Sequence, residues 1–133
     1  MDTSIEYIEM CRKAEEIQKE WVFEDGDYLY KDRVYCWSGY SATDYPGYPQ
    51  DGVFLPRQDQ LQEMFILKEM SKQFDATDDN FSKEMQILVR SVNFNHFVEK
   101  NFEKFNSFEK YWLAFVMKIK YGKLWVNGCW MIK

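Results

Sequence analysis

The side chains able to do chemistry are few, and their spacing does not gather them. His96 is the single histidine, with no cysteine or pair of carboxylates near it in sequence, so it offers neither a metal nor an acid–base site. Cys11, Cys36 and Cys129 are odd in number and make no CxxC or other zinc-type spacing. There is no GxSxG elbow, no HExxH and no glycine-rich phosphate loop. Asp75, Asp78 and Asp79 form the densest acidic group. Three carboxylates suit a divalent cation, but DATDDN lies between two helical stretches, where carboxylates cap helices. No metal site and no cofactor are therefore assigned. The balance favours a non-enzymatic chain over a metal-dependent enzyme acting on nucleic acid or nucleotides.

Residues suited to binding are better represented. The stretch SGYSATDYPGYPQDG, Ser38–Gly52, holds two prolines, three glycines and three tyrosines. Long loops in small domains are often functional, and tyrosines there supply rigid amphipathic contact area. Arg57, Gln58, Asp59 and Gln60 come next, at the start of a helix, where polar groups grip a ligand or cap the helix. Tyr40, Tyr45, Tyr48 and Trp37, with Arg57–Gln60 beside them, are the candidate recognition surface. A second candidate is an aromatic sheet face made by Trp21, Tyr28, Tyr30, Tyr35 and Trp37, which would suit a base or a sugar. Core packing is the ordinary role for such residues.

Periodicity indicates the elements that must position these groups. Pro56 disfavours a helical Leu55 and suits the first turn of a helix, so a strand at Val53–Leu55 turns into a helix running to Phe74. Leu61, Met64, Phe65, Ile66, Leu67, Met70 and Phe74 leave that helix little polar surface, which places it at the centre of the core. Upstream, Thr3–Glu20 reads as one amphipathic helix with a Thr3/Glu6 capping box and a Tyr7, Met10, Cys11, Ala14, Ile17 face. Asp25-Gly26 marks a turn, and Tyr28–Tyr30 and Val34–Trp37 read as strands.

Downstream, Phe81, Met85, Leu88, Val89 and Val92 define a helix face whose phase slips at Asn93–Asn95, predicting an end or kink there. Ser107 is a candidate N-cap for a last helix with Phe108, Tyr111, Trp112, Phe115, Val116 and Ile119 on its face, Leu113 and Met117 outside it, and Gly122 as its stop. Asn127-Gly128 is a strong two-residue hairpin signal. It pairs Val126 with Cys129, Trp125 with Trp130 and Leu124 with Met131. With apolar residues on both faces, the hairpin is expected to be sandwiched and to join the other strands.

Length and composition bound the rest. A chain of 133 residues predicts one domain spanning 1–133, large enough to bury a core without staples. Hydrophobic residues at 46% and aromatic residues at 19% exclude a disordered chain. No apolar run approaches a membrane span and no signal peptide appears. A reduced, cytosolic protein with two or three buried thiols is expected. Residues 1–80 carry 8 basic and 18 acidic side chains, and residues 81–133 carry 9 and 4. The halves are expected to meet across the fold or a dimer contact. An acidic face for a basic partner is the alternative, and net acidity argues against nucleic acid as a direct ligand.

LPRQDQLQEM at 55–64, EIQKEW at 16–21 with GD at 26–27, and SFEKYWLAFVMKIKYGKLWVNGCW at 107–130 resemble a group of small, uncharacterised proteins encoded by phages and prophages of Firmicutes. Residues 75–105 match least. The resemblance implies a phage genome as origin and the host cytoplasm as location, and it carries no catalytic residue. The sequence thus predicts an α+β fold of about four helices on a small antiparallel sheet that includes a C-terminal hairpin. The expected role is a non-enzymatic accessory protein that binds a phage or host protein, with a homodimer as a further option and no membrane partner. A small-ligand binder using the aromatic face is a further alternative.

Overall fold

The computed structural model describes residues 1–37, 52–64, 83–101 and 103–132, with the backbone path alone for 83–90. The fold is α+β: the described residues form five helices, antiparallel strands and a C-terminal hairpin.

Helix α1, Ile5–Lys13, starts one residue later than the capping-box reading placed it. Ser4 is the cap: its Oγ accepts from the Tyr7 N–H at 3.2 Å, and its own N–H donates to Asp2 Oδ1 at 2.8 Å. The expected single helix to Glu20 is interrupted at Ala14, whose ψ of 68° leaves the helical region, and α2 resumes over Glu15–Glu20. No helix breaker stands in the sequence here. The Ala14 N–H still donates to the Met10 and Cys11 carbonyls at 3.1 Å, and side chains supply these carbonyls with further donors. Gln18 Nε2 donates to the Cys11 carbonyl at 3.0 Å, and Trp130 Nε1 donates to that of Met10 at 2.9 Å. Tyr7, Met10, Cys11, Ala14 and Ile17 are all buried, so the predicted apolar face survives the break.

Strands β1 (Tyr28–Tyr30), β2 (Val34–Cys36) and β3 (Val53–Leu55) form one antiparallel sheet in the order β2-β1-β3. Leu29 lies opposite both Tyr35 and Phe54, so these three share a face, and Tyr28 and Tyr30 occupy the other. The aromatic face expected from sequence is therefore divided between the two sides. Trp21 stacks on Phe54 at 4.2 Å on the Leu29 side.

Helix α3, Gln58–Met64, begins after Pro56 as predicted and buries Gln60 and Leu61. The predicted remainder of that helix, 65–74, lies outside the described residues, as does DATDDN. Helix α4, Lys83–Lys100, runs unbroken through Asn93–Asn95. Packing overrides the two asparagines, because Phe94 stacks on Trp112 at 3.9 Å and Phe97 meets Phe115 at 5.5 Å. Val92, assigned to the core face, is 59% exposed instead.

Helix α5, Phe108–Tyr121, has the predicted Ser107 cap and left-handed Gly122 stop (φ 64°). Its buried face is shifted: Leu113 and Met117 are fully buried, while Phe108 and Ile119 are exposed. Elements on several sides cover the middle of this helix, α1, α3 and α4 among them, so a single stripe underestimates its burial.

Strands β4 (Lys123–Val126) and β5 (Cys129–Ile132) form the hairpin in the predicted register. Asn127 and Gly128 both have positive φ, 50° and 81°, as a type I′ turn requires. The hairpin does not join the other strands: it is a separate two-stranded sheet. Its Trp125/Trp130 side faces inward, with the rings 4.9 Å apart and Trp130 tied to α1. Lys13 Nζ holds the turn by donating to the Gly128 carbonyl at 2.7 Å. The opposite side is not sandwiched, since Val126, Cys129 and Met131 are exposed.

The uneven charge is used inside the fold. Lys110 is buried between Asp2 (3.8 Å) and Glu6 (3.5 Å), Lys123 donates to Glu16, and the Tyr121 hydroxyl donates to Glu20 at 3.1 Å. Acidic N-terminal helices thus clasp the basic C-terminal part. Only Cys11 is buried; Cys36 and Cys129 are exposed, fewer buried thiols than the sequence suggested. No described helix is long and apolar enough to cross a membrane.

Candidate functional site

The Arg57–Gln60 segment sits where β3 ends and α3 begins, against the Asp25-Gly26 turn. Gln60, three residues past Arg57, folds back so that its Oε1 accepts the Arg57 N–H at 2.8 Å. This is the return half of a capping box, with a side-chain amide in place of a carboxylate. The same amide donates from Nε2 to Asp27 Oδ1 at 2.6 Å. Asp27 is 2% exposed, and its other oxygen accepts from Trp21 Nε1 at 2.9 Å and the Glu24 N–H at 2.7 Å. A buried carboxylate needs such donors, because stripping it of water without them costs several kcal/mol, roughly.

Arg57 closes the arrangement from outside. Its Nη1 donates to the Gly26 carbonyl at 2.7 Å and lies 3.9 Å from Asp27, and its Nε donates to Asp59 Oδ1 at 3.1 Å. The Asp59 hydrogen bond, working against partial burial, raises the guanidinium pKa, so Arg57 stays charged. Trp37 joins the same turn from the other side: its N–H donates to the Asp27 carbonyl at 2.7 Å, and its carbonyl accepts from Gly26 at 3.0 Å.

The structure therefore brings Trp37, Arg57, Asp59 and Gln60 together around Gly26 and Asp27. Gln58 lies on the first turn of α3, half-buried, and Asp59 is exposed. Tyr40, Tyr45 and Tyr48 lie outside the described residues. Sequence reasoning missed Asp27, the residue on which Trp21, Gln60 and Arg57 converge. The only available signal was a carboxylate directly after the Asp25-Gly26 turn. As chemistry, the cluster binds its own backbone: both Asp27 oxygens and both ends of the Gln60 amide are engaged. It anchors the strand ends that flank 38–51 and sets the start of α3.

Other groups suited to chemistry are held in the same way. The buried Tyr7 hydroxyl donates to the Pro56 carbonyl at 2.7 Å, and burial pushes both its pKa and that of the Cys11 thiol upward. Cys11 is consequently an inert thiol. His96 is exposed on α4. Among the described residues no group of three or more His, Cys, Asp or Glu is placed to hold a metal ion. A polar hollow of about 340 Å³ lies where α1 and α5 begin, between Ser4, Asn106, Glu109 and Lys110. The Lys110 ammonium there is 2.5 Å from Asn106 Oδ1. A smaller, more apolar hollow of about 210 Å³ lies between Ile17, Trp21, Met64 and Tyr121.

The sequence feature that goes unused by the core is the outer side of the hairpin. Leu124, Val126, Cys129 and Met131 share it by register, and no charged side chain stands among them. No protein-family model matches the chain, and neither the curated proteins nor the solved structures give a match.

Proposed function

We propose that this chain is a non-enzymatic accessory protein of phage or prophage origin, acting in the host cytoplasm by binding protein. The observation carrying this reading is the outer hairpin face, Leu124, Val126, Cys129 and Met131, with Met131 51% exposed. An apolar sheet face in water is unfavourable in proportion to its area, and covering it with a partner recovers that free energy. The Arg57–Gln60 side chains bond Gly26, Asp27 and one another, so the reading rests on the hairpin face and not on them. Origin and compartment rest on the resemblance of residues 16–27, 55–64 and 107–130 to the phage-encoded group. The division of the aromatic residues between two sheet faces weighs against a base- or sugar-binding platform.

The test is capture from bacterial lysate with the intact chain and with a Val126→Glu/Met131→Glu variant that keeps the wild-type circular dichroism. Proteins recovered by the wild type and lost with the variant support the reading. An identical set recovered by both overturns it.

A further inference from the structure

The two sheets treat their edges differently. Strand β3 is an edge of the three-stranded sheet, and Gln18 lies along it. The Gln18 carboxamide accepts from the Phe54 N–H at 2.8 Å and donates to the Phe54 carbonyl at 2.9 Å. One side chain thus stands in for a neighbouring strand. Among the described residues, none covers strand β5 in this way. In a two-residue hairpin the closing pair, Val126–Cys129, exchanges both hydrogen bonds, and so does the second pair outward, Leu124–Met131. The N–H and C=O groups of Trp130 and Ile132 therefore point away from β4. Among the described residues these groups make no hydrogen bond.

The sequence of β5, Cys-Trp-Met-Ile, also lacks the usual protections. It has no charge, no proline and no bulge, and Ile132 is 79% exposed. A bare apolar edge is a template for another strand.

Resting on the reading of the hairpin as an interaction surface, we propose that β5 pairs with β5 of a second copy of this chain, antiparallel about a two-fold axis at Met131. The outward groups lie two positions apart, which is the spacing a two-fold pairing needs. Trp130 then faces the partner subunit's Ile132, and Ile132 faces the partner subunit's Trp130, as two hydrogen-bonded pairs. Met131 meets Met131 of the partner subunit as the close, non-bonded pair between them. The edge carries no charge, so like residues meet without repulsion. Four residues a side bury far less than the roughly 800 Å² per partner of a stable complex. The dimer is accordingly weak, and it forms between about 10 µM and 1 mM. Each copy has a net charge of −5, so added salt strengthens the association by screening.

Sedimentation equilibrium of the intact chain over that concentration range tests the pairing. Ile132→Pro removes an outward N–H and no bond within the hairpin. Met131→Lys sets two positive charges at the axis. Each is expected to weaken self-association by at least about tenfold. A crosslink guards against misfolded variants. Met131→Cys in a Cys36→Ser/Cys129→Ser background is expected to oxidise to a covalent dimer. The native Cys129 thiols lie four strand positions apart, ~14 Å along the sheet, and do not join. A monomer throughout the range, a dimer indifferent to Ile132→Pro, or no Met131→Cys crosslink overturns the pairing. If self-association is absent while Val126→Glu/Met131→Glu still abolishes lysate capture, the hairpin serves a foreign protein and only self-pairing falls.

Discussion

Replacing Gln60 with alanine removes two bonds at once, and their cost can be worked from their partners. The 2.6 Å bond to Asp27 is charge-assisted and buried. Breaking it costs about 1.5–3 kcal/mol, because the carboxylate keeps its burial and loses a donor. The 2.8 Å bond to the Arg57 N–H is a helix cap, worth about 1 kcal/mol. The sum is about 3 kcal/mol, with no cavity term for so polar a site. Urea unfolding followed by tryptophan fluorescence measures it directly, and the m value should be unchanged. Asp59→Ala is the internal control: its carboxylate binds Arg57 from an exposed position, and its loss should cost no more than about 0.5 kcal/mol. A Gln60→Ala loss below about 1 kcal/mol would refute the argument that this amide ties β1 to α3. So would an Asp59→Ala loss of equal size.

Other perturbations separate the remaining contacts. Gln18→Ala should destabilise by about 2–3 kcal/mol and raise aggregation in light scattering, because it strips both hydrogen bonds from the β3 edge. Tyr7→Phe should cost about 1–2 kcal/mol in the same urea assay, leaving the Pro56 carbonyl unpaired in the core. Gly122→Ala should cost about 1 kcal/mol through its left-handed φ alone, since a Cβ there meets nothing within 4 Å. Burial raises the Glu16 pKa, but the Lys123 hydrogen bond and charge outweigh it and hold the carboxyl below its ordinary value. A depressed carboxyl stabilises the fold above its unfolded pKa and loses that contribution as pH falls through the folded value. Lys123→Met should therefore lower stability at neutral pH and flatten its decline in acid, as thermal melts across pH 7 to 3 would show.

Local chemistry was legible wherever neighbouring residues decide the outcome. Pro56 fixed the strand-to-helix turn, Ser107 and Gly122 bounded α5, and Asn127-Gly128 set the hairpin register to the residue. Where distant contacts decide, the sequence pointed elsewhere. The break at Ala14 coincides with bonds to the last carbonyls of α1 from Gln18 and from Trp130, 116 positions downstream. The passage of α4 through Asn93–Asn95 depends on Trp112 and Phe115. Of the candidate surface, composition located Arg57, Gln60 and Trp37, and the hydrogen bonds show them bound to Gly26, Asp27 and one another. The buried ends of Asp27 and Lys110 carry no pattern that a linear reading detects, because each is defined by partners from other elements. The open hairpin face was hidden for a different reason: apolar residues on both sides of a hairpin predict two covers, and the described residues supply one, on the Trp125/Trp130 side.

The interaction surface proposed for β5 is tested most directly by amide hydrogen exchange, residue by residue, at about 20 µM and about 1 mM protein. The Trp130 and Ile132 amides should exchange fast when dilute and slow as concentration rises. The Phe54 amide, already bonded to Gln18, should be protected at both. Trp130 and Ile132 amides that exchange at the same rate at both concentrations would contradict the pairing.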